Sequence, residues 1–125
     1  MSNSTKRILV IEPCLKLFNS WLTHIGPIKQ PLDIHIVQTA EKARRILMRE
    51  GVFHLIVTGH SLTEKEEIGT VRLIQELTLK RTRIPILAHS FISSKVEELK
   101  LAGATHSCDS YEVPKHITAI LRPAS

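Results

Sequence analysis

Any chemistry in this chain must come from a thin set of side chains. Seven histidines and two cysteines stand beside only two aspartates, Asp33 and Asp109. The apolar segment from Phe53 to Thr58 runs directly into Gly59-His60. The carboxyl ends of such strands are where ligands meet an open parallel sheet. Gly59 brings no functional group to that place, and neither aspartate is positioned to act there. His60, His89 and His106 fall near strand ends on the carboxyl side. With Cys108 or Glu12 they could approach a tetrahedral zinc site. No paired spacing of the CxxC or HxxxH kind accompanies them. The plainer reading is three separate histidines, His60 and His106 on loops and His89 hydrogen-bonded within its strand. Ser61, Ser90 and Ser110 have histidines nearby, yet no Gly-x-Ser-x-Gly elbow is present. A dinucleotide-type glycine turn and a Walker loop are absent as well. No enzymatic activity and no cofactor are therefore expected.

The elements that would position these residues alternate along the chain. Ile8 to Ile11 is a continuous apolar run, as in a strand covered on both faces. Leu15, Phe18, Trp21, Leu22 and Ile25 recur at helical spacing, and Gly26-Pro27 ends that helix. Ile34 to Val37 reads as a second strand. Thr39 can cap the next helix, whose inner face is Ala40, Ala43, Ile46 and Leu47, with Gly51 as its stop. The third strand is 53–58, followed by a helix with Ile68, Val71, Ile74 and Leu77 inward. Ile84 to Ala88 is the fourth, with Pro85 near its start. Ser94-Lys95-Val96-Glu97 has the pattern of a capping box, opening a helix that closes at Gly103. A short fifth strand spans 104–108. Pro114 suits the first turn of a last helix carrying Ile117, Ile120 and Leu121. Five right-handed βα units favour a doubly wound α/β fold, a five-stranded parallel sheet of order 2-1-3-4-5 with helices on both faces.

At 125 residues the chain suits a single domain over 1–125, free-standing or within a longer protein. The polar start is no signal peptide and the apolar runs are short, so a cytoplasmic address without membrane contact is expected. The formal charge is +5, from 17 basic and 12 acidic side chains. The excess gathers at Lys6-Arg7, at Lys42/Arg44/Arg45/Arg49 and at Lys80/Arg81/Arg83. It reads either as a footprint for nucleic acid or as solvated helix faces. In the expected strand order Cys14 and Cys108 are separated by two strands at ~4.8 Å per step. That exceeds the ~7 Å limit for a disulfide, and buried free thiols are expected.

Four stretches then stand out in order: Lys6 to Glu12, Phe53 to Thr58, Ile84-Pro85-Ile86-Leu87, and Leu101-Ala102-Gly103-Ala104. Together they resemble the receiver domain of bacterial response regulators, over nearly the whole chain. The resemblance implies an acidic pair after strand one, a phospho-accepting aspartate after strand three, a Ser/Thr after strand four and a Lys-Pro after strand five. Glu12 matches the first acid and Ser90 the hydroxyl residue. Pro13 falls on the second acid, Gly59 on the acceptor, Ser110 on the lysine and Tyr111 on its proline. Ser107 falls on an aromatic of strand five. Phosphotransfer needs a carboxylate nucleophile, a divalent cation and a neutralising lysine. Glu12, Pro13, Gly59, Ser90 and Ser110 thus make a degenerate pocket, and Mg²⁺ binding is expected to be weak or absent. Neither Glu64 nor Asp109 is expected to stand in as acceptor.

What is left is surface. Leu62, Phe91, Ile92 and Tyr111 ring the mouth of the old pocket, and Leu62 and Phe91 are expected to fold back over it. By the resemblance, Ile92, Lys95, Lys100, Tyr111 and Lys115 fall on a common dimer and effector face. The leading expectation is a pseudo-receiver that needs no phosphorylation and binds a signalling protein, or itself, in two-component-type signalling. Its alternatives are a nucleic-acid-associated regulator and a metal- or small-ligand-binding sensor.

Overall fold

Five strands pair in parallel; the three inner ones bury both faces of their middle residues, and the two edge strands are only partly buried. β1 (Lys6–Ile11), β2 (Leu32–Val37), β3 (Leu55–Gly59), β4 (Ile86–Ser90) and β5 (His106–Asp109) line up in the order β2-β1-β3-β4-β5, the order expected. Every pairing is parallel. The computed structural model describes residues 5–25, 31–50, 52–59, 64–80 and 83–122. Side chains alternate across a strand, and that alternation sorts the core into two layers. Leu9, Ile11, Ile56 and Ala88 face one way, onto α2 (Ala40–Glu50), α3 (Glu64–Leu79) and α4 (Ser93–Ala102). Ile8, Val10, Leu55, Val57 and Leu87 face the other way, onto α1 (Leu15–Leu22) and α5 (Val113–Leu121). No helix among the described residues is long and apolar enough to cross a membrane.

Several boundaries differ from the sequence expectation, each for a physical reason. β3 begins at Leu55 rather than Phe53, because His54 uses its side chain as well as its backbone: Arg7 N donates to His54 Nδ1 at 2.9 Å. Gly59 is therefore the last residue of the strand and not the residue after it. β4 spans Ile86–Ser90 instead of 84–88, with Pro85 outside it, so His89 and Ser90 belong to the strand. β5 starts at His106, because the Thr105 hydroxyl takes the Ile86 N–H at 2.8 Å in place of a backbone carbonyl. β2 begins at Leu32, two residues early.

The helices follow the pattern with two exceptions. Trp21 is the buried residue of α1, whereas Leu15 and Leu22 are exposed. α1 already ends at Leu22, ahead of Gly26-Pro27, which lie outside the described residues. The Ser94 capping box does not form. α4 starts at Ser93, so the N-cap lies two residues earlier, at Ile92, which makes no side-chain cap hydrogen bond. Instead the Ser90 hydroxyl accepts from Ile92 N at 3.0 Å. Thr39 caps α2 as expected, accepting from Lys42 N at 3.2 Å. Gly103 closes α4 at φ 129°, a conformation that suits glycine.

At the amino edge of the sheet Arg7 gathers its neighbours. It lies 4.5 Å over the Phe53 ring and within ion-pair distance of Asp33 and Glu50. A hydrogen bond from His35 at 3.1 Å, together with the positive charge beside it, holds the Asp33 carboxyl below its ordinary value. The folded chain therefore binds that proton more weakly than the unfolded chain. The carboxylate stabilises the fold above the ordinary value of 3.8, and the gain is lost as pH falls through the lowered folded value. Asp33→Asn is expected to flatten the fall in melting temperature between pH 6 and pH 3. A wild-type slope in the variant counts against the interaction.

Candidate functional site

Four segments meet at the carboxyl edge of the sheet. Glu12 follows β1 and is pinned there by its backbone, which donates to Val37 O at 2.9 Å. Its side chain is buried, and Oε2 accepts from Cys14 N at 3.0 Å. Gly59 ends β3, and its partner across the ladder is His89 of β4. Ser110 opens a 3-10 turn (Ser110–Glu112) after β5 and is fully buried. Asp109 is exposed and serves as the cap of that turn, accepting from Tyr111 N at 2.7 Å.

His89 occupies the centre of this edge. It is 2 % exposed. Its Nδ1 lies 2.8 Å from Ser110 Oγ. Its Nε2 lies 3.3 Å from Glu12 Oε1, near enough for attraction but without the alignment of a hydrogen bond. The edge of the Trp21 indole meets the ring at 4.9 Å and 87°. Trp21 Nε1 in turn donates to Ser110 O at 2.9 Å. His89 thus joins Glu12 and Ser110, two positions of the degenerate pocket that the resemblance implies. Sequence reasoning placed it within its own strand or in a metal site, and missed this role. One signal was available: a glycine inside a strand often marks a close approach by a neighbour.

Beside this cluster lies a cleft of about 470 Å³, lined by Glu12, Pro13, Cys14, Lys16, Leu17, His89, Ser90, Phe91, Ile92, Ser110 and Tyr111. Seven of the expected residues therefore come together: Glu12, Pro13, Ser90, Phe91, Ile92, Ser110 and Tyr111. Phe91 does not fold back over the pocket. It is 57 % exposed and packs edge-on against Tyr111, with ring centroids 4.9 Å apart. The reason is local: the Ser90 hydroxyl fixes the turn at Ile92, and Phe91 finds its apolar partner in Tyr111 at the rim of the cleft. Leu62 lies outside the described residues. Lys95, Lys100 and Lys115 do not line the cleft. Lys95 and Lys100 lie near acids of their own helix, Glu98 at 3.6 Å and Glu97 at 3.4 Å. Lys115 is exposed.

The edge does not fit the divalent cation that the resemblance implies. Mg²⁺ takes six oxygen ligands in near-octahedral order. Among the described residues that line the cleft Glu12 is the one carboxylate, and its oxygens already face Cys14 N and His89. Pro13 and Gly59 offer no side-chain donor. The zinc grouping fares no better. His106 begins β5 at the amino end, opposite Leu87, and is exposed, so it stands at the wrong edge of the sheet. His60 lies outside the described residues. Among the described residues no three His, Cys, Asp or Glu side chains converge. Both cysteines are free, but neither is fully buried: Cys14 is exposed, at the mouth of the cleft, and Cys108 is half-buried. Burial pushes the Cys108 thiol up to about 12, helped by Glu112 and Asp109. The basic patch of α2 is partly neutralised: Arg44 forms a two-pronged pair with Glu76 at 3.0 and 3.1 Å, and Arg45 pairs with Glu41.

No family model matches the sequence, and no curated protein matches it. Solved structures do. The phosphorylated cyanobacterial phytochrome response regulator RcpA superimposes with a TM-score of 0.69 at 16% identity, covering 94% of this chain and 91% of that one. A putative response regulator from Chloroflexus aurantiacus gives 0.70 at 15% identity, over 94% of this chain and 98% of the other. The Mn²⁺-bound form of response regulator Rcp1 gives 0.65 at 17% identity, over 96% and 97%. The chain therefore has the receiver-domain fold.

Proposed function

We propose that this protein is a pseudo-receiver: a signalling module of two-component type that acts by binding another protein, without aspartyl phosphorylation. The observation that carries the reading is Gly59, a residue with no nucleophile, at the end of β3 in a receiver-type sheet. Ser110 in place of a lysine and Pro13 in place of an acid support it. An acyl phosphate needs a carboxylate oxygen to attack phosphorus, and Glu12, the one carboxylate among the described residues that line the cleft, is buried and engaged. The partner face is the exposed rim of Phe91, Ile92 and Tyr111, continued by Lys95, Lys100 and Lys115 on α4 and α5. Aromatic residues flanked by cations suit a protein surface with an apolar centre and an acidic border.

Incubation with a small phosphodonor and Mg²⁺ tests the first half. No acid-labile phosphoryl adduct is expected by intact-mass analysis, and a stoichiometric adduct overturns the reading. The second reading, a small-ligand sensor, is favoured by the cleft, whose volume falls in the range of ligand pockets. Nothing comparable favours nucleic acid, since Arg44 and Arg45 are already paired.

A further inference from the structure

The identity of residue 59 is coupled to that of residue 89. A Cβ placed on Gly59 stands 2.5 Å from both Cε1 and Nε2 of the His89 ring and 3.1 Å from Nδ1. Carbon atoms pack at about 3.5–4.0 Å, so any side chain at 59 collides with the imidazole. We propose that His89 is a built-in plug of the acceptor site: its ring fills the space that an acceptor side chain at 59 needs, and Gly59 is the residue the plug requires. This rests on the pseudo-receiver reading and adds what closes the site.

The ring has little freedom to step aside. It is 2 % exposed. Nδ1 is tied to Ser110 Oγ at 2.8 Å, and Trp21 closes one side edge-on. Trp21 is itself fastened to the Ser110 carbonyl. Opposite Ser110, Nε2 faces Glu12 at 3.3 Å. One imidazole on β4 thus braces the end of β1, the turn after β5 and, through Trp21, helix α1. The plug also turns the surviving acid toward itself and away from any cation. Restoring an acceptor at 59 alone therefore wedges the sheet edge apart; it becomes compatible only when 89 is small. The carboxyl edge is held in one arrangement without a signal.

A double-mutant cycle on the full chain decides this, with the variants G59A, H89A and G59A/H89A compared by thermal unfolding. With His89 present, G59A is expected to lower the melting temperature by roughly 10 °C or to prevent folding. With alanine at 89, the same change is expected to shift it by less than about 2 °C. G59D should show the same dependence on residue 89. Equal effects of G59A in both backgrounds overturn the plug, including the case in which the double variant is lost while H89A folds. If H89A itself does not fold, the cycle is built on H89S, and the same two outcomes decide. The cycle reads packing between two side chains and the phosphodonor assay reads chemistry, so the two proposals fail separately.

Discussion

Trp21→Ala is expected to cost about 3–5 kcal/mol of folding stability, the range for deleting a buried large aromatic side chain. A domain of this size is stable by about 5–15 kcal/mol in total, so the variant stands near the edge of folding. Trp21 is 3 % exposed and is the buried residue that anchors α1. Its indole fills the layer formed by Ile8, Val10, Val57 and Leu87 with Val113 and Ile117 of α5. It also holds the Ser110 carbonyl at 2.9 Å and flanks His89. Trp21→Phe separates these contributions. It keeps most of the apolar body but loses the hydrogen bond to the Ser110 carbonyl, for a smaller loss of about 0.5–1.5 kcal/mol. Urea unfolding followed by circular dichroism measures both. A loss under about 1 kcal/mol for the alanine variant is incompatible with the packing described.

Leu87→Ala is the second large effect, at about 2–5 kcal/mol. Leu87 is fully buried at the centre of the sheet, paired with Val57 on one side and His106 on the other. Neighbouring strands limit how far such a cavity can collapse. Leu101 makes the informative control. It also belongs to an apolar stretch of the sequence, yet it is 87 % exposed on α4. Leu101→Ala is expected to change stability by no more than about 0.5 kcal/mol. Comparable losses at the two leucines, in the same urea titration, are the result that contradicts the layer assignment.

The two leucines show where sequence patterning works and where it stops. Continuous apolar runs placed the sheet, because a strand covered on both faces must be apolar throughout its middle. Residues such as Ile8 to Ile11 and Leu55 to Val57 leave little choice. Helix faces were legible for α2 and α5 for the same reason. Polar residues inside strands were less so. His89 and Ser90 are buried in β4, but their polarity argued for an end to the strand at Ala88. Thr105 and His54 shifted boundaries by donating or accepting through side chains, which no hydropathy pattern records. Phe91 was misplaced because apolar character favours burial. A second exposed ring, Tyr111, gave it a partner at the rim of the cleft.

By itself the sequence determined the strand order, the two-layered core and the lack of a nucleophile at residue 59, since these depend on residue type and on spacing within one element. Only the tertiary structure decided that His89 fills that gap and reaches Glu12 and Ser110. That contact joins residues 12, 89 and 110, which lie far apart in the chain and meet only after β1, β4 and β5 have taken their places around β3.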